Sequence, residues 1–219
     1  MSSTANPISE NDSAREVSLQ RLIGISDGVF AVAMTFLAFT VRLPAAGPDG
    51  SRPPAAEALR QVLPQLYTLA IAFFAASRFW VIHHRIFSSL KRADGVIVGL
   101  NLLELLTLVL LPISGDLVGV YPREPLIVAI FAANLALIGI GNAGIWYAAA
   151  TRGLMIDAIT PERIRAGHWR GGFSVSMYLA SIPVCWISTQ AAKAMWLLTI
   201  FLIFIKQRVE ARRTAGVSG

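Results

Sequence analysis

Asp27, Arg78, His83, Asn101 and Glu104 each fall inside or at the edge of an apolar run. A carboxylate within a membrane span costs a few kcal/mol or more unless it is paired or hydrated. Asp27, in "GISDGVF", and Glu104, in "NLLELLTLVLLP", therefore each require an explanation. The chemistry open to such a set is charge neutralisation, cation binding or proton transfer. His83 and His84 add two imidazoles, but adjacent residues on a helix point about 100° apart and cannot chelate one ion. His168 is the only other histidine, so no metal is expected, and no other cofactor. Serines are common, yet none stands in a nucleophile elbow or beside a plausible base, so no enzymatic activity is expected. Cys185 is the only cysteine and reads as a small core residue.

The elements that must position these groups are membrane helices. The chain has 219 residues, 55% of them hydrophobic and 15% charged, against about a quarter charged in a soluble domain. A span needs about 20 mostly apolar residues. Six segments qualify: Leu22–Val41, Leu63–Ile82, Val96–Leu117, Leu126–Tyr147, Gly172–Ile187 and Ala191–Ile205. The last two are short and separated only by "STQ", which predicts a tight helical hairpin. The expected fold class is thus an all-α integral membrane protein of six transmembrane helices. Its parts are a disordered cytoplasmic tail (1–17), a membrane domain (18–206) and a basic cytoplasmic tail (207–219). The loop "PAAGPDGSRPPAAEALRQ" is expected outside. "TPERIRAG" predicts a short helix capped by Thr160 with Pro161 at its first position. Pro112 is expected to end or kink span 3.

The net charge of +6 could suggest nucleic acid, but its distribution does not. When alternate loops are assigned to the cytoplasm from the amino terminus onward, the other side keeps only Arg42, Arg52, Arg60, Arg123 and Lys193. That bias places both termini in the cytoplasm and predicts anionic headgroups, not nucleic acid, as partners. Trp80, Trp146, Tyr147, Trp169 and Tyr121 fall near predicted interfaces, where amphipathic rings anchor.

Depth along the helices groups the polar residues. Asp27 lies about five residues into span 1, some 7–8 Å by helical rise. Span 2 runs back, bringing Arg78 and His83 to similar depth, and span 3 brings Asn101. Ser26 stands beside Asp27. The preferred reading is one structural network joining spans 1 to 3, with Arg78 neutralising Asp27 and leaving little field for a cation. Glu104 lies deeper, and the sequence names no partner for it.

A helical wheel divides span 1 into three stripes. Gly24, Gly28, Ala31, Thr35 and Ala38 form a small stripe that would let another helix approach closely. Ile25, Val29, Val32, Phe36, Phe39 and Leu43 form a bulky apolar stripe. Asp27, Phe30, Met34 and Leu37 form the third. Periodicity alone assigns the bulky stripe to lipid contact or core packing.

"RLIGISDGVFAVAMTFLAF", with Arg21, Ser26 and Asp27, resembles the first-span signature of the transmembrane protein 175 potassium channels. The likeness extends to "RFWVIHHRIF" and "LNLLELLTLVLLP", and more loosely to "FAANLALIGIGNAGIWY". The resemblance implies a prokaryotic-type six-span channel in the cell membrane. It implies a homotetramer around one pore, with potassium as permeant ion and no "TVGYG"-like filter. It adds Arg21 to the structural polar network. Carried over by position, the pore constriction is Val32, Phe36 and Phe39, with Ile25, Val29 and Leu43 extending the face. The family usually has phenylalanine where Ile25 stands, and isoleucine and leucine at the constriction. A secondary transporter or proton-coupled exchanger using Asp27, Arg78 and Glu104 is the alternative. Transporters tend to show inverted repeats and broken mid-membrane helices, and neither is evident here.

Overall fold

The computed structural model describes residues 7–199. Helix α1 (Pro7–Phe36) passes into a 3-10 turn, Leu37–Thr40. Then follow α2 (Ala55–Phe87), α3 (Gly95–Val109), α4 (Leu111–Val120), α5 (Pro125–Thr151) and α6 (Pro161–Val184). A last helical stretch covers 189–199.

Among the described residues, four stretches are long and apolar enough to cross a bilayer: Leu19–Thr40, Ala55–Phe87, Gly95–Val120 and Pro125–Thr151. They correspond to the first four expected spans. The fifth expected span, Gly172–Ile187, is the second half of α6 and the turn after it. The sixth, Ala191–Ile205, is described only to 199, and the basic tail 207–219 lies outside the described residues. Helix α1 begins at Pro7, inside the stretch expected to be a disordered tail. Hydropathy marks where a helix meets lipid, not where its backbone stops.

The same distinction lengthens α2. Helix starts immediately after Pro53 and Pro54, because "AAEALRQ" consists of good helix formers. That segment had been expected in the external loop. At about 1.5 Å per residue, the 33 residues of α2 exceed a hydrocarbon core of about 30 Å. Span 3 breaks at Leu110 into α3 and α4, with Pro112 in the first turn of α4. The proline ring has no N–H to donate and crowds the preceding turn, so the break falls just ahead of it. Thr160 does cap α6, its Oγ1 accepting from the Arg163 N–H at 3.4 Å. The helix it starts is not short, however, but runs unbroken to Val184. The chain then turns at 185–188. Ser188 Oγ accepts from the Ala191 N–H, and Trp196 Nε1 donates to Ser181 Oγ across the hairpin.

Two apolar clusters hold the helices together. The larger joins Phe30, Phe79, Leu108, Leu111, Phe131, Tyr178 and Trp196, from every main helix. The smaller packs Leu22, Phe87, Ile97, Ile145 and Met155 at the other end. There the α2–α3 and α5–α6 loops pair: Lys91 N–H donates to Leu154 O, and Ile156 N–H donates to Ser89 O.

Asp94 caps α3, accepting from the Val96 and Ile97 N–H groups, and its other oxygen accepts from Arg152 Nε at 2.6 Å. The Ile97 N–H and then Arg152 hold its carboxyl below the usual aspartate value of 3.8. Asp94→Ala is expected to cost about 1 kcal/mol at pH 7, as for other lost caps. A carboxyl depressed in the folded state stabilises it above the unfolded pKa, and that contribution is lost as pH falls through the folded value. The gap in thermal midpoint between wild type and variant should therefore narrow below pH of about 4. A gap that stayed constant would show the charge has no part in it.

Candidate functional site

The polar residues expected to meet in one network occupy five separate places. Ser26 is fully buried; its Oγ donates to Leu22 O at 2.9 Å and accepts from the Asn101 Nδ2–H at 3.0 Å. This pair ties α1 to α3, as depth suggested. Arg21 stands exposed on α1.

Asp27 does not meet Arg78. It is half-buried, and its Oδ1 accepts from the Trp80 Nε1–H at 2.8 Å. Trp80 and Arg78 are two residues apart on α2, so their side chains point about 200° apart. When Trp80 faces α1, Arg78 must face away. Arg78 is 2% exposed and turns to α6. It donates from Nη2 to Ser174 Oγ at 2.6 Å and from Nη1 to Tyr178 Oη at 3.1 Å. Its guanidinium carbon also lies 5.6 Å from the Phe79 ring centre.

His83 belongs with Glu104. Its Nδ1 lies 3.3 Å from Glu104 Oε2, and the Asn142 amide donates to Glu104 Oε1 at 2.6 Å. His83, Glu104 and Asn142 are all buried. Phe87 stacks on the imidazole at 4.4 Å between ring centres, and Phe30 covers it at 5.3 Å. Helix α5 comes so close here that a Cβ on Gly141 would stand 2.8 Å from Glu104 Cβ. The glycine is what lets α3 and α5 bury this carboxylate. His84 is exposed and lies beside Trp80, so the paired histidines never face one another.

Asn142, Ser174 and Tyr178 were missed by the sequence reading. Asn142 carried a signal, being one of two amides, with Asn134, in an otherwise apolar span. Trp80 and Trp146 do more than anchor at an interface. Trp80 holds Asp27, and Trp146 donates to Ile164 O at 3.1 Å while lying over Gly167. Cys185 is buried, as expected.

On α1, the third stripe is the one turned to the chain's own core: Phe30 is 0% and Leu37 1% exposed. The bulky stripe is uncovered: Ile25, Val32, Phe36, Phe39 and Leu43 are all exposed, while Val29 is partly buried. The small stripe is uncovered too, and among the described residues no atom outside the helix's own turns lies near where a Cβ would stand on Gly24 or Gly28. The close helix approach expected at those glycines does not occur within the described chain. The 3-10 turn brings residues three apart into register. It therefore sets Phe39 over Phe36, with ring centres 6.0 Å apart.

Residues 21–112 match the family model described as endosomal/lysosomal potassium channel TMEM175. A protein of Streptomyces collinus named as a potassium channel is 29% identical over 211 residues, covering 90% of this chain and 98% of that one. Another so named, from Chamaesiphon minutus, is 27% identical over 188 residues, covering 76% and 89%. The fold matches the crystal structure of a lysosomal potassium-selective channel TMEM175 homologue from Chamaesiphon minutus with a TM-score of 0.75. That match has 23% identity and covers 87% of this chain and 98% of the other. First-span signature, helical layout and relatives aligned along most of the chain agree: this all-α integral membrane protein is similar to the transmembrane protein 175 potassium channels, those of prokaryotes included.

Proposed function

We propose that the protein is a potassium-permeable cation channel, a homotetramer in the cell membrane with α1 of each subunit lining one central pore. The observation that carries this reading is the sidedness of α1. Its core-facing stripe is dry, while its bulky stripe is left to something outside the subunit. Only 28% of the α1 window is buried by the chain itself, against 44–56% in the other three spans. Four copies around an axis would converge Val32, Phe36 and Phe39 into a constriction, with Ile25 and Leu43 toward its ends and the partly buried Val29 set back. The small stripe would then be where neighbouring subunits approach. An apolar ring gates by dewetting and makes ions shed water without supplying oxygen ligands. Moderate selectivity for potassium follows. Six spans per subunit and both termini in the cytoplasm complete the arrangement.

An exchanger would need Asp27, Arg78 and Glu104 to share a site. They face Trp80, α6 and His83 respectively, so that reading gains nothing from the geometry.

Potassium and sodium flux into liposomes holding the full chain tests the proposal. Flux through the wild type that favours potassium is the expected result. No flux from wild type but flux from Phe36→Ala would mean the aromatic gate is closed at rest. Absence of flux from both would overturn the channel reading.

A further inference from the structure

A cavity of about 700 Å³ opens between α2, α5 and α6, at the end where the α2–α3 and α5–α6 loops pair. Four arginines line it: Arg78 and Arg85 from α2, Arg163 and Arg170 from α6. Each pair is seven residues apart, two helical turns, which puts both members on one face about 10 Å apart along the axis. The two helices therefore turn a pair of arginines each toward the same space. No described carboxylate lines that space. Glu104, the buried acid among the described residues, is turned away and held by Asn142 and His83.

Arg78 marks the inner end. It is 2% exposed, always protonated, and forms no ion pair among the described residues. Two neutral hydroxyls take its terminal nitrogens, and its buried Nε–H has no acceptor. A buried cation met only by two hydroxyls and the Phe79 ring lacks the anion that would offset its desolvation. A phosphoryl group supplies what is missing. Its several oxygens can accept from a guanidinium fork while others face further arginines.

We propose that this cavity is a binding site for a phosphoryl group, with Arg78 at its inner end and Arg85, Arg163 and Arg170 on its walls. The source is either a lipid phosphate headgroup or soluble phosphate. The proposal does not depend on ion conduction, and its test reads binding alone.

Calorimetric titration of the full chain in neutral detergent uses three probes: dioctanoyl phosphatidic acid, inorganic phosphate and dioctanoyl phosphatidylcholine. Saturable binding of phosphatidic acid is expected. Arg163→Gln, an exposed helix position, should weaken it at least tenfold. Arg78→Gln, if folded, should weaken it further, and Arg123→Gln, in the α4–α5 loop, should leave it unchanged. Competition by inorganic phosphate, or its binding in place of the lipid, would assign a soluble source. Failure of both phosphates to bind would overturn the proposal. So would binding unaffected by Arg163→Gln, or phosphatidylcholine binding as tightly as phosphatidic acid.

Discussion

Phe36→Ala is expected to raise potassium flux at least tenfold and to lower the preference for potassium over sodium. On the proposed pore, each subunit contributes two aromatic layers, because the 3-10 turn sets Phe39 over Phe36. Both rings are more than half exposed on the isolated chain, so the subunit itself does not hold them back from an axis. Four alanines in place of one layer widen the constriction and let water remain beside the ion. Tenfold corresponds to about 1.4 kcal/mol off the barrier, a modest demand on a dewetted ring. Loss of preference follows because a hydrated ion no longer has to shed water. Liposome flux with both ions measures it. Unchanged flux from well-folded variant would remove Phe36 from the pore.

Glu104→Leu is expected to destabilise the folded chain by about 3–5 kcal/mol. The substitution leaves His83 Nδ1 and the Asn142 amide facing apolar carbon, and both residues are buried. Removing one member of a buried pair costs that much because its partner stays buried without compensation. On the Gly141 side the α5 backbone already lies against Glu104 and leaves no room for a replacement partner. Glu104→Gln keeps an acceptor oxygen for Asn142 and should cost about half as much. Unfolding in denaturing detergent, followed by tryptophan fluorescence, compares the two. A loss below about 1 kcal/mol from the leucine variant would mean water reaches this layer.

What the sequence disclosed and what it hid divide along one geometrical line. Rise along a helix is fixed at about 1.5 Å per residue, so depth was readable. It brought Ser26 to the level of Asn101, although it set Glu104 deeper than His83 and named no partner for it. Azimuth between helices was not readable, because it depends on which faces pack. Arg78 was accordingly given to Asp27, although Trp80 two residues away excludes that once it faces α1. The stripes of α1 were legible for a related reason. A wheel reports which side chains share a face of one helix, without reference to any other helix. Their destinations were not: the core took the Phe30 stripe, and the glycine stripe was left without a neighbour in the chain. Helix ends were displaced where good helix formers ran past the apolar stretch, as at Ala55, whereas at Pro161 the start was legible and only the run on to Val184 was not.

Just beyond α1 and its 3-10 turn, the chain is held at Arg42. The Arg42 N–H donates to Gln65 Oε1 at 2.7 Å, and its guanidinium meets Asp116 at 2.7 Å. Nearer its amino terminus α1 is held at Ser26 by Asn101 and at Asp27 by Trp80. Mechanically this is a beam fixed at two levels, one on α3 and α2 and the other on α2 and α4. Its softest length is the four-residue 3-10 turn between them, where hydrogen bonding is poorest. Such a turn rises about 2.0 Å per residue, against 1.5 Å in an α-helix. Rewinding it would shorten the beam by about 2 Å and swing Phe39 out of line with Phe36. Torque applied at either anchor is therefore delivered to the one place on α1 where two aromatic rings lie in register.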